Sequence, residues 1–451
     1  MKQILYLNQK FSQIFFFILL IFGLSISILL KEFNLLLLPN YDLNIINIYR
    51  ITIIIFSINV FLSSEKKINL PILLLILVNI IFIYNSLFGE EMTFNILASD
   101  FYNQINVGLD TYSGIPVGVT TVLDPFFNNS KKYLLINIFN IMLPLCVFLF
   151  IFKLNFKLNT FKTLSRKICS FFLYALCFII FIKFSIIVEA YIKNTDLNLD
   201  NIKYVIVLNN ISDLLSFLSD VQNFFFNPHG IIFILNFYFL LIIDKIYTEE
   251  VGYNSWDLIK IFLILFCIII FNSPIHLLIC LMTFLFYYLN HNKKFKYFFY
   301  SFTIFGLVIF LIFFKDIYIN LNNINEHGSI INSILIRIYN IKYFFFHSEN
   351  FNYIIGNNIF SGNIYTYPHN MFADILICTG VTGLTLFLFF LYKLFLTLKN
   401  LMNSNNLFLI CLLLQSFLLA NLSGFFFSNI AVFSILIISF IFLKEKESNI
   451  I

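Results

Sequence analysis

Apolar runs close to membrane length, separated by short polar stretches, recur along all 451 residues of the chain. A helix needs roughly 20 consecutive apolar residues to cross about 30 Å of hydrocarbon. Stretches of that order run from Phe11 to Leu30, Ile68 to Phe88, Ile168 to Tyr191, Tyr297 to Phe314, Met371 to Tyr392 and Phe425 to Leu443. Others are shorter or interrupted. Asn44 to Ser63 holds Arg50, Ile231 to Ile243 reaches full length only if it starts near Phe224, and the Asn272-Ser273-Pro274 turn divides Leu258 to Phe271 from Ile275 to Leu289. With Tyr133 to Phe152 and Leu407 to Leu422 added, the pattern predicts an all-α, polytopic transmembrane helix bundle of about 12 spans. No repeat and no Pro/Gly-rich linker divides it, so a single integral membrane domain over 1–451 is expected.

Composition agrees with this class. A chain that is 60% hydrophobic and 11% charged, with a mean hydropathy of +0.91, has too little polar surface to cover one soluble core. Its net charge of +5 is distributed by loop. Lys2 and Lys10, Lys66 and Lys67, Lys153 to Lys167, Lys245, Lys293 to Lys296, Lys393 and Lys399, and Lys444 and Lys446 all fall in alternate loops. Basic residues are retained on the cytoplasmic side during insertion. Both termini are therefore expected in the cytoplasm, with external loops at about 89–132, 192–230 and 315–368. The other loops hold about half as many basic residues, and Lys131 with Lys132 sit on the side opposite to the one expected. Phe11 to Leu30 has no small-residue cleavage site behind it and is expected to stay as the first span.

The same facts exclude several functions. No basic stripe with interleaved aromatics suggests nucleic acid. The seven cysteines lie within or at the ends of apolar runs with no CxxC pair among them, which supports neither a zinc site nor an external disulfide framework, and no cofactor is expected.

Most of the chemistry concentrates at 315–368 and the residues just after it. From Ser329 to Phe346, Ile330, Ile331, Ile334, Leu335, Ile338, Ile341 and Phe345 recur at helical spacing, with Ser333, Arg337 and Asn340 on the other face. This predicts a short amphipathic helix on the outer interface, in a loop between roughly the ninth and tenth spans. Arg337 is one of three arginines in the chain. Its guanidinium suits phosphate oxygens, and it equally suits an interfacial side chain reaching for water. Gly356, Gly362 and the segment Tyr367-Pro368-His369-Asn370 follow. Pro368 forces extended backbone before it and can open a helix near His369. Asn370 and Asp374 then share a face, and Gly380 and Gly383 let another helix approach closely. His369 has two readings: an imidazole, with an unperturbed pKa near 6.5, can take a proton from a hydroxyl, or it can cap a helix at the headgroups.

These residues carry a resemblance. His369-Asn370, followed by Thr379-Gly380 and Gly383, is similar to the signature of the O-antigen ligase and O-antigen polymerase family. Arg337 and Gly356 resemble that family's external loop, and Asn227-Pro228-His229-Gly230 resembles its Asn-Pro segment at the opening of an earlier span. The similarity covers about 224–395.

The resemblance implies a metal-independent glycosyltransferase at the periplasmic face of the bacterial inner membrane, with 315–368 as its catalytic loop. Its donor would be a glycan on undecaprenyl pyrophosphate, and its acceptor another glycan or lipid A core. Membrane lipid and a chain-length regulator protein would be further partners. By the same resemblance His369 activates the acceptor hydroxyl, Arg337 holds the pyrophosphate and Asn370 contacts substrate. The family has further arginines where this chain has Lys203 and Asn272-Ser273-Pro274-Ile275-His276, so Lys203 and His276 are the candidates for that binding role.

Polymerase and ligase share this donor chemistry and differ in acceptor. The sizeable loops at 192–230 and 315–368 resemble those of the polymerase branch, so a polymerase is what the resemblance implies first. A third reading, a transporter of lipid-linked glycan, calls for ionisable residues along a central path and often for duplicated halves. Lys183, Glu189, Lys260 and Arg50 lie in or near spans, but most charge lies outside them and no duplication is visible.

Overall fold

In the computed structural model the described residues are 2–37, 45–63, 68–90, 92–95, 134–135, 137–151, 156–192, 228–248, 254–271, 274–291, 341–358, 370–401, 407–422 and 426–448. Among them the secondary structure is helical apart from isolated bridge residues, with Phe94 paired antiparallel to Ser348. In chain order the helices are α1 (Lys2–Leu37), α2 (Ile45–Ser63), α3 (Leu70–Phe88), α4 (Leu143–Phe148), α5 (Leu158–Ile192), α6 (Pro228–Thr248), α7 (Ser255–Ile270), α8 (Pro274–His291), α9 (Met371–Leu401), α10 (Leu407–Leu422) and α11 (Ile430–Ser448). A π-helical turn at Asn137–Met142 leads into α4, a 3-10 turn at Phe426–Ser428 leads into α11, and 341–346 forms a short helix.

Four of these helices are long and apolar enough to cross a membrane, over Phe11–Lys31, Leu70–Phe88, Leu158–Ile182 and Met371–Leu398. They match four of the expected spans, though α5 starts ten residues before Ile168 and α9 continues past Tyr392. Pro144 accompanies a break in the run from Tyr133, where π-helical and α-helical turns meet. The last run begins its helix at Ile430, not Phe425. The 297–314 run, and 329–340 of the amphipathic helix, lie outside the described residues.

The chain divides into two compact units. The first comprises Met1–Phe56, Asn155–Tyr288 and Leu407–Leu412. Its centre is α6, buried on every side from Ile231 to Asp244, with α1, α5 and α7 packed around it. A helix that is apolar all round must be enclosed, and this one is. Phe237 shows why: its ring meets Phe22 at 5.3 Å, Phe408 at 6.3 Å and Phe161 at 6.5 Å between centroids. Edge-on contacts of this kind add to the burial of large rings.

The second unit comprises Ser57–Leu154, Leu289–Asn406 and Leu413–Ile451. Its backbone is the pair α3 and α9, packed along one another, with α11 against α9. Phe82 stacks on Phe427 at 4.1 Å, and Phe387 meets Phe426 edge-on at 5.4 Å. Buried amides tie the ends together: Asn137 Nδ2 donates to Asn79 Oδ1 (2.9 Å) and to the Phe427 carbonyl (2.8 Å). Such pairing is required where no water can compensate a polar group.

Candidate functional site

In the second unit α9 starts with a cap. The Asn370 side-chain oxygen accepts from the backbone N–H groups of Phe372 and Ala373, each at 3.1 Å, and its carbonyl accepts from Asp374 N. Asparagine is among the strongest N-cap residues because its short side chain reaches the unpaired N–H groups of the first turn. The helix therefore begins at Met371, two residues beyond the expected start near His369. One turn further in, Asp374 is buried and its Oδ2 accepts from Phe426 N at 3.0 Å, which fastens the 3-10 turn before α11 to the first turn of α9.

Nine residues after Met371 the helix breaks. Gly380 adopts φ 63°, ψ −169°, outside helical space, and leaves main-chain groups on either side without intrahelical partners. The loop 352–357 supplies them. Val381 N donates to Tyr353 O (2.7 Å), Thr382 N to Ile354 O (3.1 Å), and Asn357 N to Ile377 O (2.9 Å). From α3, Asn85 Nδ2 donates to Cys378 O (2.8 Å) and to Ile355 O. The sequence expectation of a helix approaching Gly380 and Gly383 is thus met differently. The close neighbour of Gly380 is a loop, and a Cβ on Gly383 would strike the side chain of Thr379 in the same helix.

In the first unit, His276 opens α8 and is buried. Its Nδ1 lies 2.7 Å from Asn236 Nδ2 on α6, and Cys280 Sγ donates to Asn236 Oδ1 at 3.2 Å. An amide N–H can donate to Nδ1 only while that nitrogen is bare, so this arrangement leaves the ring proton on Nε2. A second polar node in that unit surrounds Asp244 of α6. Lys162 Nζ is 2.7 Å and Arg166 Nη2 3.6 Å from its Oδ2, and Tyr287 OH donates to its Oδ1 at 2.9 Å. Lys162 also sits 4.5 Å over the Phe408 ring, and Lys245 pairs with Asp257 at 2.8 Å.

Of the five candidate catalytic and substrate-binding residues, the structure describes Asn370 in the second unit and His276 in the first. His369, Arg337 and Lys203 lie outside the described residues. Arg50 donates to Asn47 Oδ1 at 3.1 Å, one turn earlier on α2. Sequence reading missed Asn85 and the Asp244 node. The only signals were an amide inside an apolar run and the four-residue spacing of Lys162 and Arg166, which had been read for membrane orientation. Among the described residues no three His, Cys, Asp or Glu side chains converge as a metal centre requires.

Compared with protein-family models, curated proteins and solved structures, the chain matches none.

Proposed function

We propose that this chain is a multi-pass glycosyltransferase of about 12 spans, with both termini in the cytoplasm, that polymerises undecaprenyl-pyrophosphate-linked oligosaccharide at the periplasmic face of the bacterial inner membrane. The observation that supports it best is local. Asn370, Thr379, Gly380 and Gly356, all part of the resemblance to O-antigen polymerases and ligases, belong to one interlocked piece of the second unit.

The chemistry is one displacement. The acceptor hydroxyl oxygen bonds to the anomeric carbon of the donor as the bond from that carbon to the pyrophosphate oxygen breaks. The electron pair leaves with the pyrophosphate, and the hydroxyl proton passes to His369. Arg337 carries the fixed positive charge for the leaving group, since its planar fork matches phosphate oxygens and stays charged. In sequence His369 directly precedes Asn370, the cap of α9.

The test is His369→Ala in the native host, with surface glycan resolved by gel and the protein quantified in membranes. A lost ladder with single-unit product retained supports a polymerase. Loss of all attached glycan identifies a ligase. An unchanged ladder with the protein present overturns both.

A further inference from the structure

We infer that the loop 352–357 is a re-entrant element embedded in the lipid, with Tyr353, Ile354 and Ile355 in contact with acyl chains, and not an aqueous loop. This does not rest on the glycosyl-transfer reading.

Depth is the first argument. The flanks of the loop are joined to the segment just beyond the end of α3: Asn358 N donates to Glu90 O (3.0 Å) and Thr93 N to Asn350 Oδ1 (2.8 Å). The tip lies deeper, because Ile355 O is held by Asn85 and Ile354 O by Thr382, beside Gly380. The α3 span starts at Leu70, just after Lys66 and Lys67, and α9 reaches its first basic residue at Lys393. At about 1.5 Å per residue, Asn85 stands about 22 Å from Leu70 and Gly380 about 20 Å from Lys393, within a hydrocarbon layer of about 30 Å. Both rulers put the tip several ångströms inside the boundary opposite the lysines.

Backbone satisfaction is the second. Non-helical backbone at such depth is tolerated only if its polar groups find partners within the protein. The N–H groups of Asn352, Ile354, Ile355, Gly356 and Asn357 all have them. Asn357 Oδ1 accepts from Asn352 N, Asn352 Oδ1 from Ile354 N and Ile355 N, Asn352 O from Gly356 N, and Ile377 O from Asn357 N. The carbonyls of Tyr353, Ile354 and Ile355 are taken by Val381, Thr382 and Asn85. A loop in water has no need of such closure.

What the loop exposes is the third. With the polar groups turned inward, its outward side chains are Tyr353 (61% exposed), Ile354 (70%) and Ile355 (40%). Val381 beside them, and Tyr84, Leu87 and Phe88 at the same end of α3, are exposed as well. These helices are spans by length and composition, so the covering that suits the shared apolar surface is lipid.

The chain holds one tryptophan, Trp256, which permits a direct test. In a Trp256→Phe background, Tyr353→Trp, Ile354→Trp and, as an aqueous reference, the exposed Glu349→Trp are reconstituted in bilayers. Folding is checked by circular dichroism and size exclusion, and two tip positions guard against one variant failing. Fluorescence is quenched either by brominated acyl chains or by water-soluble acrylamide. The inference expects lipid quenching and acrylamide protection at 353 and 354, with the reverse at 349. Acrylamide access at the two tip positions overturns it in favour of an aqueous loop. Protection from both quenchers overturns it in favour of a covering protein.

Discussion

Gly356 and Gly380 lie on opposite sides of one contact between loop and helix, each with positive φ, 81° and 63°, and a Cβ on either would strike the backbone of the other side. A Cβ on Gly356 would lie 2.7 Å from Gly380 N, and one on Gly380 would lie 2.6 Å from Ile355 N. The loop seals the break in α9 only because neither residue has a side chain.

Replacement of either glycine by alanine should therefore separate loop from helix. The left-handed conformation alone costs about 1–2 kcal/mol for an L-residue, and displaced backbone adds to it. Gly356→Ala and Gly380→Ala should each lower the melting temperature in detergent. The double variant should cost less than the sum, because the first substitution already breaks the shared contact. Additive losses would show that the two glycines act separately.

Asn85 stabilises the same break from α3. Asn85→Leu leaves the Cys378 and Ile355 carbonyls without that donor at a buried position, at about 1–3 kcal/mol for each group left unpaired. Protease cleavage within 350–358 should become faster than in the parent protein, while cleavage elsewhere stays the same. Equal rates would remove Asn85 from this role.

Asn370 should behave as a cap whatever else it does. Asn370→Ala should cost about 1 kcal/mol, and Asn370→Asp or Asn370→Ser should restore most of it, since both keep an oxygen that accepts from the first turn. Thermal unfolding of the three variants checks this. If glycan synthesis falls in the Asp and Ser variants while stability is held, the amide has a further task in substrate contact.

Asp244 should be the most sensitive position of the first unit. Asp244→Ala leaves Lys162, Arg166 and the Tyr287 hydroxyl around a missing carboxylate, and breaking a buried pair this way costs about 3–5 kcal/mol. The combination Asp244→Leu, Lys162→Met, Arg166→Met and Tyr287→Phe removes these groups together. It should recover part of the loss in a denaturation series.

Arg337→Lys keeps the charge but not the planar fork. If Arg337 receives the pyrophosphate, polymer formation should fall in this variant, and by more in Arg337→Ala, where removing one such donor typically costs about 10²–10³ in rate. Normal polymer in Arg337→Ala would remove it from the site.

Legibility followed distance along the chain. The end of α3 at Phe88, the start of α8 beside Pro274 and the apolar run of α9 were readable because a segment's own composition and its terminating residues are local properties. Gly380 was noticed but assigned a helix partner, since a glycine inside an apolar run signals close approach without saying what approaches. Asn85 was overlooked for the opposite reason: one amide in a span carries no period, and its acceptors lie 270 and 293 residues away.

Hydrophobic patterning alone determined that this is a helical chain with segments long and apolar enough to cross a membrane, because the solubility of each segment depends on its own composition. It anticipated one helix start too, at Pro274, where proline suits the first position of a helix. Only the tertiary structure decided that α9 breaks against the 352–357 loop, that Asn85 closes the junction, and that Asp244 gathers two cations and a tyrosine. Those choices rest on hydrogen bonds between segments far apart in sequence. Many other amides and carboxylates in the chain have the same chemistry, and only their arrangement in space selects the partners.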